Sequence, residues 1–151
     1  MRIDHLFRTP EHVPTVAGWI HAEFWDHAPD VTAAALAARL REATRIDRIP
    51  LAFVAFDGDA PVGTVSLVEN DDEARPDLRP WLAALYVRPA ARGRGLGAML
   101  VRECLAAAAR LGETRVHLGT STPVFYARLG AETLGPVGVR GLVRMRFALS
   151  G

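Results

Sequence analysis

The segment Arg92-Gly93-Arg94-Gly95-Leu96-Gly97 carries the most specific chemistry in this 151-residue chain. Glycines let the backbone turn sharply and leave N–H groups facing outward with no Cβ in the way. A helix starting directly behind them adds unpaired N–H groups and a positive dipole end, which suits a phosphate or pyrophosphate. Arg92 and Arg94 can add charge-assisted bonds. Two nucleotide motifs fail on inspection. A dinucleotide G-x-G-x-x-G needs a third glycine at 98 or 100, where Ala98 and Leu100 stand, and a Walker loop needs a lysine. All eighteen basic residues are arginine, so lysine Schiff-base chemistry is excluded as well.

Other reactive side chains give less. Cys104 is the sole cysteine, which rules out a disulfide or a cysteine zinc cluster, and its helical spacing reads as core. His21, Glu23, Asp26 and His27 crowd one segment, but the H-E-x-x-H arrangement is missing and no metal is expected. A net charge of +1 lacks the electrostatic footprint of a nucleic-acid binder. No run approaches the roughly 20 apolar residues of a membrane span. The N-terminus also lacks a signal-peptide stretch, so a cytoplasmic protein is expected. With half its residues apolar, the chain reads as one domain over residues 1–151.

These groups need a frame to position them. Residues 2–7 read as a short strand. Thr9-Pro10-Glu11 then opens a helix with a hydroxyl cap, a proline in the first turn and an acid near the positive end. Val13, Val16, Ala17, Ile20 and Phe24 form its apolar face. Asp30 or Thr32 caps a second helix through about Thr44, with Leu36, Leu40 and Ala43 inward. Strands over 51–56 and 62–68 form a hairpin across Asp57-Gly58-Asp59. A polar stretch over 69–79, with four acids in its first five residues, interrupts the sheet.

Trp81–Val87, a continuous apolar run, is expected to be a strand buried on both faces. After the glycine turn, residues 97–111 form an amphipathic helix with Leu100, Cys104, Ala108 and Leu111 on one stripe, stopped by Gly112. Arg115–Thr120 follows, and a right-handed crossover sets it parallel to Trp81–Val87. Thr122-Pro123 opens a short helix bearing Phe125, Tyr126 and Leu129. Strands over Glu132–Val137 and 142–149 finish the chain. The expected class is α/β, a mixed sheet with helices on its faces.

In this frame Arg92, Gly95 and Gly97 spell R-x-x-G-x-G behind the strand Leu85-Tyr86-Val87 and the loop Arg88-Pro89-Ala90-Ala91. The segment resembles the acetyl-CoA signature of the GNAT superfamily of N-acetyltransferases. Phe125-Tyr126-Ala127-Arg128-Leu129-Gly130 is the second specific element, and the likeness runs in family order over residues 2–149. It implies a mostly antiparallel sheet with one splayed parallel strand pair and an acetyl-CoA co-substrate. The pantetheine arm pairs with backbone at Leu85, Tyr86 and Val87. The pyrophosphate lies on Gly93, Arg94, Gly95, Leu96, Gly97 and Ala98, and an N–H of the same strand polarises the thioester carbonyl. Tyr126 stands where the family donates a proton to the departing thiolate.

The acceptor side departs from a common family pattern, since no carboxylate stands in Trp81–Val87. His117, Glu69, Asp71, Asp72 or water remain as the base. His117 has a suitable reference pKa of about 6.5 and a place on the strand that some peptide acetyltransferases use. Trp25, Asp72 and Trp81 are the expected acceptor contacts. Segment 77–82 and the short Thr120-to-Pro123 connection look like a subgroup that includes peptide α-amine acetyltransferases. Two functions follow from the resemblance. One is direct acetyl transfer from acetyl-CoA to a small-molecule or N-terminal amine, by a monomer or homodimer. The other is a non-catalytic acyl-CoA sensor or interaction module on the same scaffold.

Overall fold

The computed structural model describes residues 1–137 and 141–149, in which seven strands form one sheet. Strands β1 (Arg2–His5), β2 (Leu51–Asp57), β3 (Ala60–Val68) and β4 (Trp81–Val87) pair antiparallel in chain order. On the other side, β7 (Leu142–Ala148) lies between β5 (Arg115–Thr120) and β6 (Glu132–Val137), antiparallel to both. The two halves meet at the parallel pair β4 and β5. Hairpin β2–β3 turns at Gly58, whose φ of +62° any side chain would strain.

The strict alternation of β2 separates two cores. Leu51, Phe53 and Ala55 face the cluster built from α3 (Leu96–Arg110) and α4 (Pro123–Arg128). Ala52, Val54 and Phe56 face the cluster of α1 (Val13–Phe24) and α2 (Ala33–Leu40). Helices therefore cover both faces of the sheet. Leu96, Leu100, Val101, Cys104, Ala107 and Ala108 are the buried stripe of α3. Truncating such a buried leucine to alanine costs about 2–5 kcal/mol.

Element ends differ from the sequence expectation where tertiary contacts outweigh local signals. The Thr9 side chain does not cap a helix; a 3-10 turn over Pro10–His12 precedes α1, and the Thr9 hydroxyl is buried without a partner among the described residues. Thr32 does cap α2, its Oγ1 accepting from the Ala35 N–H at 3.0 Å, but the helix stops at Leu40. The first strand ends at His5 and the last at Ala148.

One departure matters for function. Strand β4 is not buried on both faces: Trp81 and Leu82 are buried, whereas Ala83 to Val87 are only half-buried. Its partner strand leaves it, so the apolar run lines an opening instead of a sealed core.

Candidate active site

The opening follows from how β4 and β5 pair. Trp81 opposite His117 is their one pair in register, and the His117 N–H donates to Pro80 O at 2.9 Å. Beyond that point the strands part. On its other edge β4 carries a bulge against β3, where Ser66 faces Ala83 and Thr64 faces Tyr86, leaving Val65 opposite both Ala84 and Leu85. Ala84 sits at φ +56°, a left-handed conformation costing a non-glycine residue about 1–2 kcal/mol. Such a bulge re-aims backbone groups. The Tyr86 side chain packs on Trp19 of α1, ring centroids 5.6 Å apart, while its backbone pairs with Thr64 of β3.

The glycine turn stands at the open end of this cleft. Gly93 and Gly95 have φ of +82° and +77°, conformations that only glycine adopts cheaply. The first bond within α3 runs from the Met99 N–H to Gly95 O at 3.1 Å, so the N–H groups of Leu96, Gly97 and Ala98 have no acceptor in the helix. Arg92 has a structural task besides the phosphate contact expected of it. Its Nε–H donates to Val87 O at 2.8 Å and its guanidinium lies 5.6 Å from the Tyr86 ring centroid, so it fastens the turn to the end of β4. Arg94 stays exposed, 3.7 Å from the Asp57 carboxylate.

Tyr126 reaches this region because α4 leans on α3. A Cβ at Gly97 would stand 3.3 Å from the Phe125 ring, and Phe125 meets Tyr126 edge-on at 4.9 Å. Burial pushes the Tyr126 phenol well above its usual range, with nearby Cys104 adding to the rise. The phenol therefore holds its proton at any working pH. Cys104 is fully buried, its Sγ 3.8 Å from Ser66 O, and burial raises its thiol to about 12. It is a core residue, as its spacing indicated.

On the α1–α2 face a cavity of about 890 Å³ opens over the bulge, with Ala83, Ala84 and Ser66 in its floor. Trp25, an expected acceptor contact, lines it together with Ile20, Leu36 and Leu40. Asp71 and Arg39 stand in its walls. Asp71 is exposed at the rim of the cavity, with protein packed around it. Desolvation pushes its carboxyl up to about 6, Asp72 adds to the rise, and Arg39 works against it.

Asp72 does not line this cavity. Its Oδ1 accepts from the Ala74 N–H at 3.0 Å and its own N–H donates to Asn70 Oδ1 at 3.1 Å, so it shapes the loop that presents Asp71. Glu69 is committed to Arg79 at 2.6 Å.

His117 and Trp81 lie apart from that cavity. His117 is 1% exposed, both ring nitrogens lack hydrogen-bond partners among the described residues, and the ring borders a separate cavity of about 370 Å³ with Asp77, Glu113 and Arg115. Desolvation lowers its pKa, and Arg144, Arg115, Arg146 and Arg75 lower it further. Trp81 is fully buried, its indole N–H donating to Leu78 O at 2.8 Å and its ring 5.6 Å from His117. A substrate therefore cannot touch Trp81 as expected from the sequence. The pair closes the lower end of the β4–β5 junction.

Residues 17–131 match the acetyltransferase (GNAT) family. The chain belongs to the GNAT acetyltransferase family. It is similar to a mycothiol acetyltransferase of Mycobacteroides abscessus, 41% identical over 97 residues, which span 64% of this chain and 31% of that protein. The chain thus spans under a third of that curated relative's length. Among solved structures, a ribosomal-protein-alanine N-acetyltransferase from Brucella melitensis superposes with a TM-score of 0.76 at 19% identity, covering 99% of this chain and 100% of the other. An aminoglycoside 6'-N-acetyltransferase complexed with coenzyme A gives 0.74 at 17% identity, covering 98% and 97%.

Seen as a GNAT fold, the splayed pair and the glycine turn occupy the places the sequence implied. The bulge at Ala84 had no signal in sequence, since alanine is not the residue that a positive φ favours. Asp71 was one acid among several, and only the loop's own hydrogen bonds separate it from Asp72. No described helix is long and apolar enough to cross a membrane, and no cluster of metal ligands exists among the described residues.

Proposed function

We propose that this chain transfers the acetyl group of acetyl-CoA directly to a primary amine. The observation that carries this reading is the parting of β4 from β5 beside a glycine turn with unpaired N–H groups. The backbone of Leu85, Tyr86 and Val87 offers the pantetheine arm a strand edge that β5 has left, on which, among the described residues, the Val87 carbonyl alone is taken, by Arg92 Nε. Gly93, Arg94, Gly95, Leu96, Gly97 and Ala98 offer N–H groups and a helix dipole to the pyrophosphate. A backbone N–H near the Ala84 bulge polarises the thioester carbonyl, a contribution of about 3 kcal/mol where such donors have been removed.

Tyr126 protonates the departing sulfur. A phenol raised by burial is a weaker acid than a free one, but the thiolate emerges in the same dry cleft and is destabilised alike. Cys104 takes no part, because a thiol raised to about 12 and sealed in the core supplies no thiolate for an acyl-enzyme. The amine therefore attacks acetyl-CoA itself, within one ternary complex.

Thiol release from acetyl-CoA, measured across free amines and peptides with a free N-terminus, tests this reading. Amine-dependent release is expected. Tight coenzyme A binding with no release on any acceptor would instead establish the acyl-CoA sensor.

A further inference from the structure

Resting on that reading, we propose that Asp71 is the proton acceptor for the incoming amine, and that the acceptor is a primary amine on an apolar, uncharged body. The large cavity supplies the argument. Its floor is the β4 bulge, to which the proposed transfer assigns the reacting carbonyl, and its walls over Ile20, Trp25, Val31, Leu36 and Leu40 are apolar. A volume of about 890 Å³ lies at the upper end of ordinary ligand sites. Such walls favour a body that carries neither further charges nor many hydroxyls.

The wall acids are not equivalent. Glu69 is held by Arg79, and the neighbouring Asp72, which lies outside the wall, is spent on its own loop. Among the described residues the Asp71 carboxylate has no hydrogen bond or ion pair closer than the field of Arg39. The carboxylates of Asp71, Glu42 and Glu73 make no hydrogen bond or ion pair among the described residues, and of these Asp71 stands on the loop leaving β3, its carboxyl pushed up by desolvation toward the range that suits a base near neutral pH. Glu42 and Glu73 are the other acids in the wall and Arg39 its one cation among the described residues, so the cavity attracts an ammonium ion.

The step balances as follows. The ammonium gives one proton to an Asp71 carboxylate oxygen. The freed nitrogen lone pair forms the C–N bond at the thioester carbonyl carbon. On collapse the C–S electron pair leaves with sulfur, which takes the Tyr126 proton. The second proton lost from nitrogen returns to the Tyr126 phenolate, and Asp71 releases its proton to water. One acetyl group passes from sulfur to nitrogen and one net proton is released, yielding amide and free thiol.

The experiment compares L-leucinamide and 2-phenylethylamine with spermidine and glucosamine, and measures kcat from pH 5 to 8. The apolar amines should exceed the other two at least tenfold in kcat/KM; a lead for spermidine or glucosamine overturns the acceptor class. Wild-type kcat should fall with acid below about pH 6, because the base must be ionised. Asp71→Asn should lose at least about tenfold in kcat together with that limb, at unchanged KM for acetyl-CoA. Asp71→Glu should restore part of both.

Asp72→Asn should move the limb to lower pH and Arg39→Gln to higher pH, the signs required by their charges on Asp71. A limb and turnover unaltered in Asp71→Asn overturn the assignment while leaving acetyl transfer standing. Calorimetric binding of L-leucinamide to the coenzyme A complex separates the opposite case. Binding lost in Asp71→Asn, with no turnover in wild type, keeps the cavity assignment and rejects the transfer reading.

Discussion

The cleft between β4 and β5 and the cavity above Ala83 and Ala84 adjoin at the bulge, yet they are built from different parts of the polypeptide. The cleft is lined by main chain: a strand edge that β5 has left, a glycine turn at φ +82° and +77°, and the first N–H groups of α3. The cavity is lined by side chains from α1, α2, β3 and the loop before β4. Backbone groups are the same in every residue, so a main-chain site tolerates substitution wherever the conformation survives. A side-chain site changes with each residue. The difference teaches where one scaffold is fixed and where it is free to take a new acceptor.

That contrast can be broken at several points. Tyr126→Phe removes the one side chain the cleft needs for chemistry and should cost about 100-fold in turnover, or about 2.7 kcal/mol, with acetyl-CoA affinity unchanged. Equal turnover of the two proteins would refute the role of the phenol. Next in size is Gly95→Val, which forces a β-branched residue into a left-handed conformation. Coenzyme A affinity, followed by calorimetry, should weaken about tenfold or more while the fold persists. By contrast, Leu85→Ile leaves the backbone as it is, and its Kd for coenzyme A should stay within about twofold; a large loss would show that the cleft is read by side chains after all.

The smallest effect concerns stability. The pKa of His117 is lowered in the fold below its unfolded value, so its neutral form contributes stability that is present above about pH 6.5 and is lost as pH falls through the folded value. His5 is lowered in the same direction by burial. Replacing His117 by Gln should therefore make the decline of Tm between pH 7 and 5 shallower without abolishing it. A steeper decline would contradict the burial of an uncharged ring.

The same contrast explains what could be read before the structure. The glycine turn, the crossover helix and the strand Trp81–Val87 were legible because each follows from local rules of φ, dipole and apolar spacing. The short helix bearing Tyr126 was legible through Thr122-Pro123 and its family segment. What stayed hidden depends on packing between distant segments. Nothing in Trp81-Leu82-Ala83-Ala84 announces a bulge, and nothing in the apolar run says its partner strand will leave it. His117 has the right chemistry, but it is sealed beside Trp81 and borders a different cavity from the one over Ala83 and Ala84. Asp71 and Asp72 differ only in which of them the loop's own N–H groups engage.

The single thiol buried in the middle of α3 has a practical consequence. Cys104 can meet a thiol reagent only when the helix lifts from the sheet, so its labelling rate in native buffer is a clock for that opening. Since α3 begins at the turn assigned to the pyrophosphate, coenzyme A should slow the clock in proportion to its occupancy. Affinity for the cofactor could then be read from an unmodified protein, without any acceptor in hand.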